Sequence, residues 1–198
     1  MHLREGARLH RQLGGAVGEA LSLQRLAELA LHEGRHEEAR ALLDEALDLA
    51  RSTDIGFHLL DRIYGTRIAL HARDPQAALN VMIDAAASVR GPLETCPGCR
   101  ITFAVPAAIA AARAGEVELA QQHAVQCAYL ADVVMRLPAW HAAHEEVRAH
   151  IAAATGAARD DVASHFAAAA ARFRAASHPI DAARCERLAA EGGKQRFR

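Results

Sequence analysis

Residues 18–52 read GEALSLQRLAELALHEGRHEEARALLDEALDLARS, in which leucine and alanine recur at helical spacing on both sides of a short polar turn. The turn is Glu33-Gly34-Arg35, and the segment after it places Ala39, Leu43 and Ala46 at positions i, i+4 and i+7. Residues at these spacings share one face of a helix, and small side chains on that face let a second helix approach closely. The segment therefore predicts two antiparallel helices packed as a hairpin.

The hairpin pattern recurs three more times. The alanines equivalent to Ala39 are Ala78, Ala120 and Ala163, so that successive copies lie 39, 42 and 43 residues apart. The further turns are Arg73-Asp74-Pro75, Ala114-Gly115-Glu116 and Thr155-Gly156-Ala157. The further face positions are Ala78, Met82 and Ala85, then Ala120, Ala124 and Cys127, then Ala163, Ala167 and Ala170. A period of this size is typical of stacked helical hairpins.

The pattern over residues 16–176 resembles the tetratricopeptide repeat (TPR) family, and residues 18–52 match it best. The resemblance implies an all-α protein, a TPR-like α-solenoid of about four stacked antiparallel hairpins plus terminal helices. The sequence departs from the family in its period, which exceeds the usual length of about 34 residues. The alternative is an alanine-rich helical bundle in which the periodicity is accidental.

The two ends of the chain predict closing helices at residues 3–13 and 179–190, which would cover the apolar faces of the outer hairpins. We expect one domain, residues 1–191, followed by a disordered tail at residues 192–198.

Composition excludes several classes of protein. Of the 198 residues, 52% are hydrophobic and 4% aromatic, and alanine is abundant while strand-favouring residues are scarce, so a sheet protein is not expected. The formal net charge of −1 gives no field that would attract nucleic acid or an anionic membrane. No apolar run of 18 residues occurs. We expect a cytoplasmic protein that contacts neither nucleic acid nor membrane directly.

A second resemblance bears on function. The segments Glu94-Thr95-Cys96-Pro97-Gly98-Cys99, Ala107–Gly115 and Asp181-Ala182-Ala183-Arg184-Cys185 resemble the helical-repeat regions of actinobacterial transcription regulators. The regulators concerned are of the LuxR type and of the bacterial transcriptional activator domain type. In those families the repeats receive a signal or a partner, and separate modules bind nucleotide and DNA. The resemblance implies a sensor or scaffold, either stand-alone or a fragment of a larger regulator.

If the hairpins stack as in the TPR family, the first helix of each hairpin lines a concave groove. When the copies of the repeat are aligned, equivalent positions on these helices carry polar and apolar residues. The resulting groove would suit a peptide carrying carboxylates or an anionic small effector. The aligned residues are Gln24, Glu28, His32, Ile63, Arg67, His71, Ile109 and Arg113. The alternative is that these are ordinary solvated residues of helix faces.

The cysteines allow a different function. Cys96 and Cys99 form a C-x-x-C turn, and His123 and Cys127 lie at i and i+4 of a later helix, so a Cys₃His zinc site is conceivable. A thiol redox switch at Cys96 and Cys99 is a second interpretation. The third is structural, because Cys127 occupies a small-residue packing position and free cysteine is often buried.

Signatures of catalysis are missing. The glycine-rich residues 14–18 lack a preceding strand, and no phosphate-binding loop motif occurs. We therefore expect a non-catalytic helical-repeat module that binds a protein segment or small effector, in transcriptional regulation or signalling, and that is compatible with a homodimer. The alternative is a thiol-based zinc or redox sensor, in which zinc would be the only cofactor.

Overall fold

The computed structural model describes residues 2–89 and 94–191. Within these ranges the regular elements are helices and no strand occurs, which confirms the predicted all-α class. The helices are α1 (His2–Gln12), α2 (Ala16–His32), α3 (His36–Arg51), α4 (Phe57–Leu70), α5 (Pro75–Ala86), α6 (Pro97–Arg113), α7 (Val117–Ala128), a π-helical segment (Tyr129–Met135), α8 (Pro138–Ala154), α9 (Arg159–Ala175) and α10 (Pro179–Glu191). Over the described ranges, none of these helices is both long and apolar enough to cross a lipid bilayer.

Three of the four predicted hairpin turns share a glycine-based geometry. At Gly34 the φ angle is +75°, and the N–H of Arg35 donates to the carbonyl of Ala30 at 2.8 Å. Gly115 and Gly156 also have positive φ and are followed by the same type of hydrogen bond. A left-handed residue of this kind ends a helix and turns the chain back, and glycine adopts it without a steric penalty. The predicted turns after α2, α6 and α8 therefore lie where the sequence placed them.

The turn between α4 and α5 uses a different residue pattern. Asp74 precedes α5, and its Oδ1 accepts a hydrogen bond from the N–H of Ala77 at 3.0 Å. Pro75 is the first residue of the helix, a position in which its missing N–H costs nothing. The cap and the proline together start α5 at the predicted residue.

The chain divides into two compact units, Met1–Pro106 and Ala107–Arg198, and the boundary falls inside α6. The single domain expected over residues 1–191 stays a prediction, and the expected tail at residues 192–198 lies outside the described residues.

In the first unit, α2 packs against α3, and α4 packs against α2, α3 and α5. The predicted small-residue face of α3 is fully buried at Ala39, Leu43 and Ala46. Helix α1 packs on α2, and its Arg11 forms ion pairs with Glu19 of α2 and Glu45 of α3 at 2.5 and 2.6 Å. Helix α1 therefore covers part of α2, as expected of a terminal helix, and is held there by packing and by ion pairs.

Glycine allows α4 to approach α6 closely in the first unit. A Cβ atom at Gly65 would collide with the main-chain oxygen of Thr102. Because backbone carbonyls cannot move aside as side chains can, this contact requires a residue without a side chain. It fixes α4 against the first half of α6.

In the second unit, α9 packs against both α8 and α10, and the core includes Ala149, Val162 and Phe166. The face predicted for α9 is wrong in part, because Ala167 is exposed and Ala163 is only half-buried. The buried face is instead set by Phe166 and Phe173, seven residues apart. The consecutive alanines beside them place similar small side chains on every face of the helix. The large aromatic side chains therefore decide which face is buried.

Candidate ligand pocket

Two of the predicted groove residues lie in the core of the first unit. Ile63 is fully buried, and Gln24 is 1% exposed. The Gln24 amide nitrogen donates to Thr66 Oγ1 at 2.9 Å and to Glu28 Oε1 at 2.7 Å. Gln24 therefore joins α2 to α4, and neither Gln24 nor Ile63 offers surface to a ligand.

The other predicted residues on α2 and at the end of α4 lie at or near the surface. Glu28 is half-buried and pairs with Arg25 at 2.6 Å, whereas His32 is exposed. His71 directly follows α4, and partial burial lowers the pKa of its imidazole, with a further lowering by the charge of Arg40. The surroundings of His71 thus favour the neutral imidazole over the charged form.

Arg67 of α4 is the predicted groove residue that lines a pocket. Its guanidinium forms an ion pair with Asp44 of α3 at 3.0 Å. Ile109 and Arg113 belong to the second unit, where both are half-buried, and burial lowers the pKa of Arg113. A groove that combines residues of both units stays a prediction from the sequence, and within the first unit Gln24 and Ile63 are buried away from a ligand.

One pocket of the first unit has a volume of about 300 Å³ and is formed by the end of α3, the middle of α4 and the end of α5. This volume is at the lower end of the range for small-molecule sites. Its lining combines apolar side chains with a cluster of polar ones. The lining residues are Leu47, Arg51, Tyr64, Arg67, Val81, Asp84 and Ser88.

A chain of hydrogen bonds runs along the polar side of the pocket. Arg51 Nη2 donates to the Tyr64 hydroxyl at 2.8 Å, and that hydroxyl donates to Ser88 Oγ at 3.2 Å. A serine hydroxyl that accepts one bond keeps its own proton to donate. Tyr64 is buried, so its phenol is a fixed link between Arg51 and Ser88.

The two arginines of the pocket differ in whether they form an ion pair. Arg67 is paired with Asp44, whereas within residues 2–89 and 94–191 no ion pair is formed by Arg51. A guanidinium has five N–H donors, of which Arg51 uses one toward Tyr64. Asp84 adds one negative charge to the lining, and the charge of Arg67 is already balanced by Asp44, so Arg51 is the lining guanidinium that has no ion pair among the described residues. This arrangement suits a ligand with a single negative charge.

Sequence reasoning missed Arg51, Asp84 and Ser88, which stand at or near the ends of α3 and α5. No local motif marks them. The available signal was Tyr64, a polar aromatic residue in an apolar helix, because a buried tyrosine hydroxyl usually has a hydrogen-bond partner.

The four cysteines differ in exposure. Cys96 is exposed and Cys99, Cys127 and Cys185 are buried. Burial raises the pKa of Cys127 to about 12, and burial with the nearby charge of Glu146 raises that of Cys185 to about 12. Cys96 and Cys99 belong to the first unit, and His123 and Cys127 to the second.

Among the described residues, no group of three or more histidine, cysteine or acidic side chains is placed to hold a metal ion. The Cys₃His zinc site from Cys96, Cys99, His123 and Cys127 stays a prediction from the sequence.

A polar cluster lies in the second unit. Asp132 of the π-helical segment accepts hydrogen bonds from His141 Nδ1 at 2.7 Å and pairs with His144 Nδ1 at 3.1 Å, both on α8. His141 and His144 lie three residues apart on α8, and the Asp132 carboxylate orients both rings.

Comparison with known proteins gives no match of significance, either to a family model, to a curated protein or to a solved structure.

Proposed function

We propose that this chain is a non-catalytic binding module whose pocket between α3, α4 and α5 takes the carboxylate of a small effector or of a peptide side chain. The observation that carries the proposal is the hydrogen-bonded row of Arg51, Tyr64 and Ser88 along one side of the pocket. A carboxylate is the natural occupant of such a row, because a guanidinium fork matches its two oxygens.

The apolar part of the pocket favours an organic acid over an inorganic anion. Leu47 and Val81 line it together with the polar residues, so a short alkyl group can be buried beside the carboxylate. Asp84 disfavours a dianion such as hydrogen phosphate, because a second negative charge would be repelled by its carboxylate.

The wider setting of the proposal is a TPR-like repeat in transcriptional regulation or signalling. It is supported by the order of helices and by the turns after α2, α4, α6 and α8, which agree with the repeat pattern. In that setting the pocket would sense an effector and the remaining surface would receive a protein segment.

Ligand-observed NMR with propionate, acetate and inorganic phosphate tests the proposal. We expect saturation transfer from the protein to propionate and acetate at millimolar concentration, and a weaker effect of phosphate measured by competition. Arg51→Ala should abolish the propionate signal. Arg40→Ala is the matched control, because it removes the same charge from α3 at a residue outside the pocket lining. An unchanged propionate signal in Arg51→Ala would refute the assignment.

A further inference from the structure

Two cysteines lie side by side at the start of α6. Cys96 directly precedes the helix and Cys99 is its third residue. The N–H of Cys99 donates to Cys96 Sγ at 3.3 Å and to Cys96 O at 3.0 Å. Cys96 Sγ therefore lies against the backbone N–H of Cys99 in the reduced protein, and both cysteines belong to one turn of the chain.

The two thiols differ in accessibility, because Cys96 is exposed and Cys99 is buried. An exposed cysteine next to a protected one is the arrangement in which the first reacts with a solute and the second resolves the adduct. The other two cysteines, Cys127 and Cys185, are both completely buried. Exposure alone thus separates Cys96 from the other three.

Helix α4 holds the cysteine-bearing turn in place. Arg62 Nη2 of α4 donates to the carbonyl of Gly98 at 3.2 Å. Directly after Cys99, Arg100 pairs with Asp61 at 2.8 Å, with side chains only 9% and 1% exposed. Buried pairs of this kind fix geometry, since breaking one leaves an uncompensated charge. The packing of α6 on α4 therefore holds the backbone of the Cys96–Cys99 turn in place.

We propose that Cys96 and Cys99 form a dithiol–disulfide site that exchanges with small-molecule disulfides of the glutathione class. In the first step the Cys96 thiolate attacks one sulfur of the small disulfide, the sulfur–sulfur bond breaks and one small thiolate leaves. In the second step the Cys99 thiolate attacks Cys96 Sγ, the mixed disulfide breaks and the second small thiolate leaves.

The exchange balances without another reactant. The two protein thiols lose two electrons and two protons, and the small disulfide gains them to become two thiols. The site is independent of the carboxylate pocket, since it uses residues outside the pocket lining.

Alkylation followed by mass spectrometry tests the site. Reduced protein is equilibrated with mixtures of reduced and oxidised glutathione in the presence of a chelator, quenched with acid, denatured and treated with N-ethylmaleimide. Fully reduced chains carry four labels, one per cysteine. We expect oxidised chains to lose two labels without retaining glutathione, and peptide mapping to locate the loss at Cys96 and Cys99.

Single substitutions separate the two steps. Cys99→Ser should stop at one bound glutathione per chain, and Cys96→Ser should show neither a disulfide nor an adduct. Cys127→Ala is the matched control and should lose two labels as the natural sequence does, because alanine already stands at the equivalent positions Ala46 and Ala85. Four labels at every glutathione ratio, or a loss located at Cys127 and Cys185, would overturn the proposal.

Discussion

Arg184 of α10 donates to both carboxylate oxygens of Glu146 on α8, from Nε at 2.8 Å and from Nη2 at 2.6 Å. The Glu146 side chain is 2% exposed and that of Arg184 is 38% exposed. Burial alone would lower the pKa of Arg184, but the charges and hydrogen bonds of Glu146 and Asp181 raise it. The pair ties the closing helix to the core of the second unit.

Breaking this pair should destabilise the second unit strongly. Arg184→Met leaves the Glu146 carboxylate buried without its partner, and we expect a loss of about 3 kcal/mol in the free energy of unfolding by urea denaturation. Arg174→Met breaks an exposed pair with Glu186 and should cost less than about 1 kcal/mol. Equal losses in the two variants would contradict the structural role of Glu146 and Arg184.

His150 should make the second unit sensitive to acid. Burial, together with the charges of Arg113 and Arg184, lowers the pKa of its imidazole from 6.5 to about 3. Below pH 6.5 the imidazole of His150 is protonated in the unfolded chain but stays neutral in the folded chain. The free energy of unfolding therefore falls as the pH drops from 6.5 toward 3. The slope is at most about 1.4 kcal/mol per pH unit.

The contribution of His150 is measured as a difference between variants. His150→Gln should lose stability more slowly than the natural sequence over this pH range in urea titrations, whereas exposed His32→Gln should follow the natural sequence. Parallel curves for His150→Gln and the natural sequence would contradict this, because they would mean that folding does not change the pKa of His150.

Gly65→Ala should destabilise the first unit. The added Cβ would collide with the Thr102 carbonyl and force α4 away from α6, at a cost of about 1–3 kcal/mol. Gly6→Ala is the control, because Gly6 also lies in a helix and its nearest neighbour, Ser22 Oγ, would be at an ordinary 3.4 Å. Thermal denaturation should lower the melting temperature for Gly65→Ala and leave it unchanged or raised for Gly6→Ala; the reverse order would contradict the close approach.

The two pocket arginines should differ in their effect on propionate binding. Arg51→Ala removes a guanidinium with N–H donors still available, and we expect an affinity loss of at least about tenfold. Arg67 is already paired with Asp44, so Arg67→Ala should cost only about threefold. Isothermal titration of both variants checks the order, and a larger effect of Arg67→Ala would reassign the binding group.

Asp84 should lower the affinity of the pocket for dianions relative to monoanions. Asp84→Asn removes the negative charge from the pocket lining, and we expect the affinity for inorganic phosphate to rise about fivefold while that for propionate changes by less than about twofold. Competition NMR measures both. A rise for propionate equal to that for phosphate would mean that Asp84 acts on all anions alike.

Much of the helical organisation could be predicted because it depends on local spacing. The turns at Gly34, Asp74, Gly115 and Gly156 are encoded by residues that end or begin helices wherever they stand. The prediction failed at α9, where Ala167 belongs to a run of alanines. Such a run forms a helix but does not select its buried face, which Phe166 and Phe173 decide.

The pocket was harder to predict from the sequence, because it is made by contacts between helices. A register across hairpins pointed to Arg67, which lines the pocket, but it could not show that Gln24 bonds to Thr66 in the core. Arg51 and Ser88 lie 37 residues apart and meet through Tyr64 on a third helix. Only the packing of α3, α4 and α5 brings them together.

The measurement that tests the carboxylate pocket most directly is the position of the arginine side-chain Nε–Hε signals in two-dimensional NMR spectra during titration with propionate. We predict that the signals of Arg51 and Arg67 shift in proportion to occupancy and that the signal of Arg40 stays in place. A titration in which the Arg51 signal does not move while other arginines respond would contradict the account.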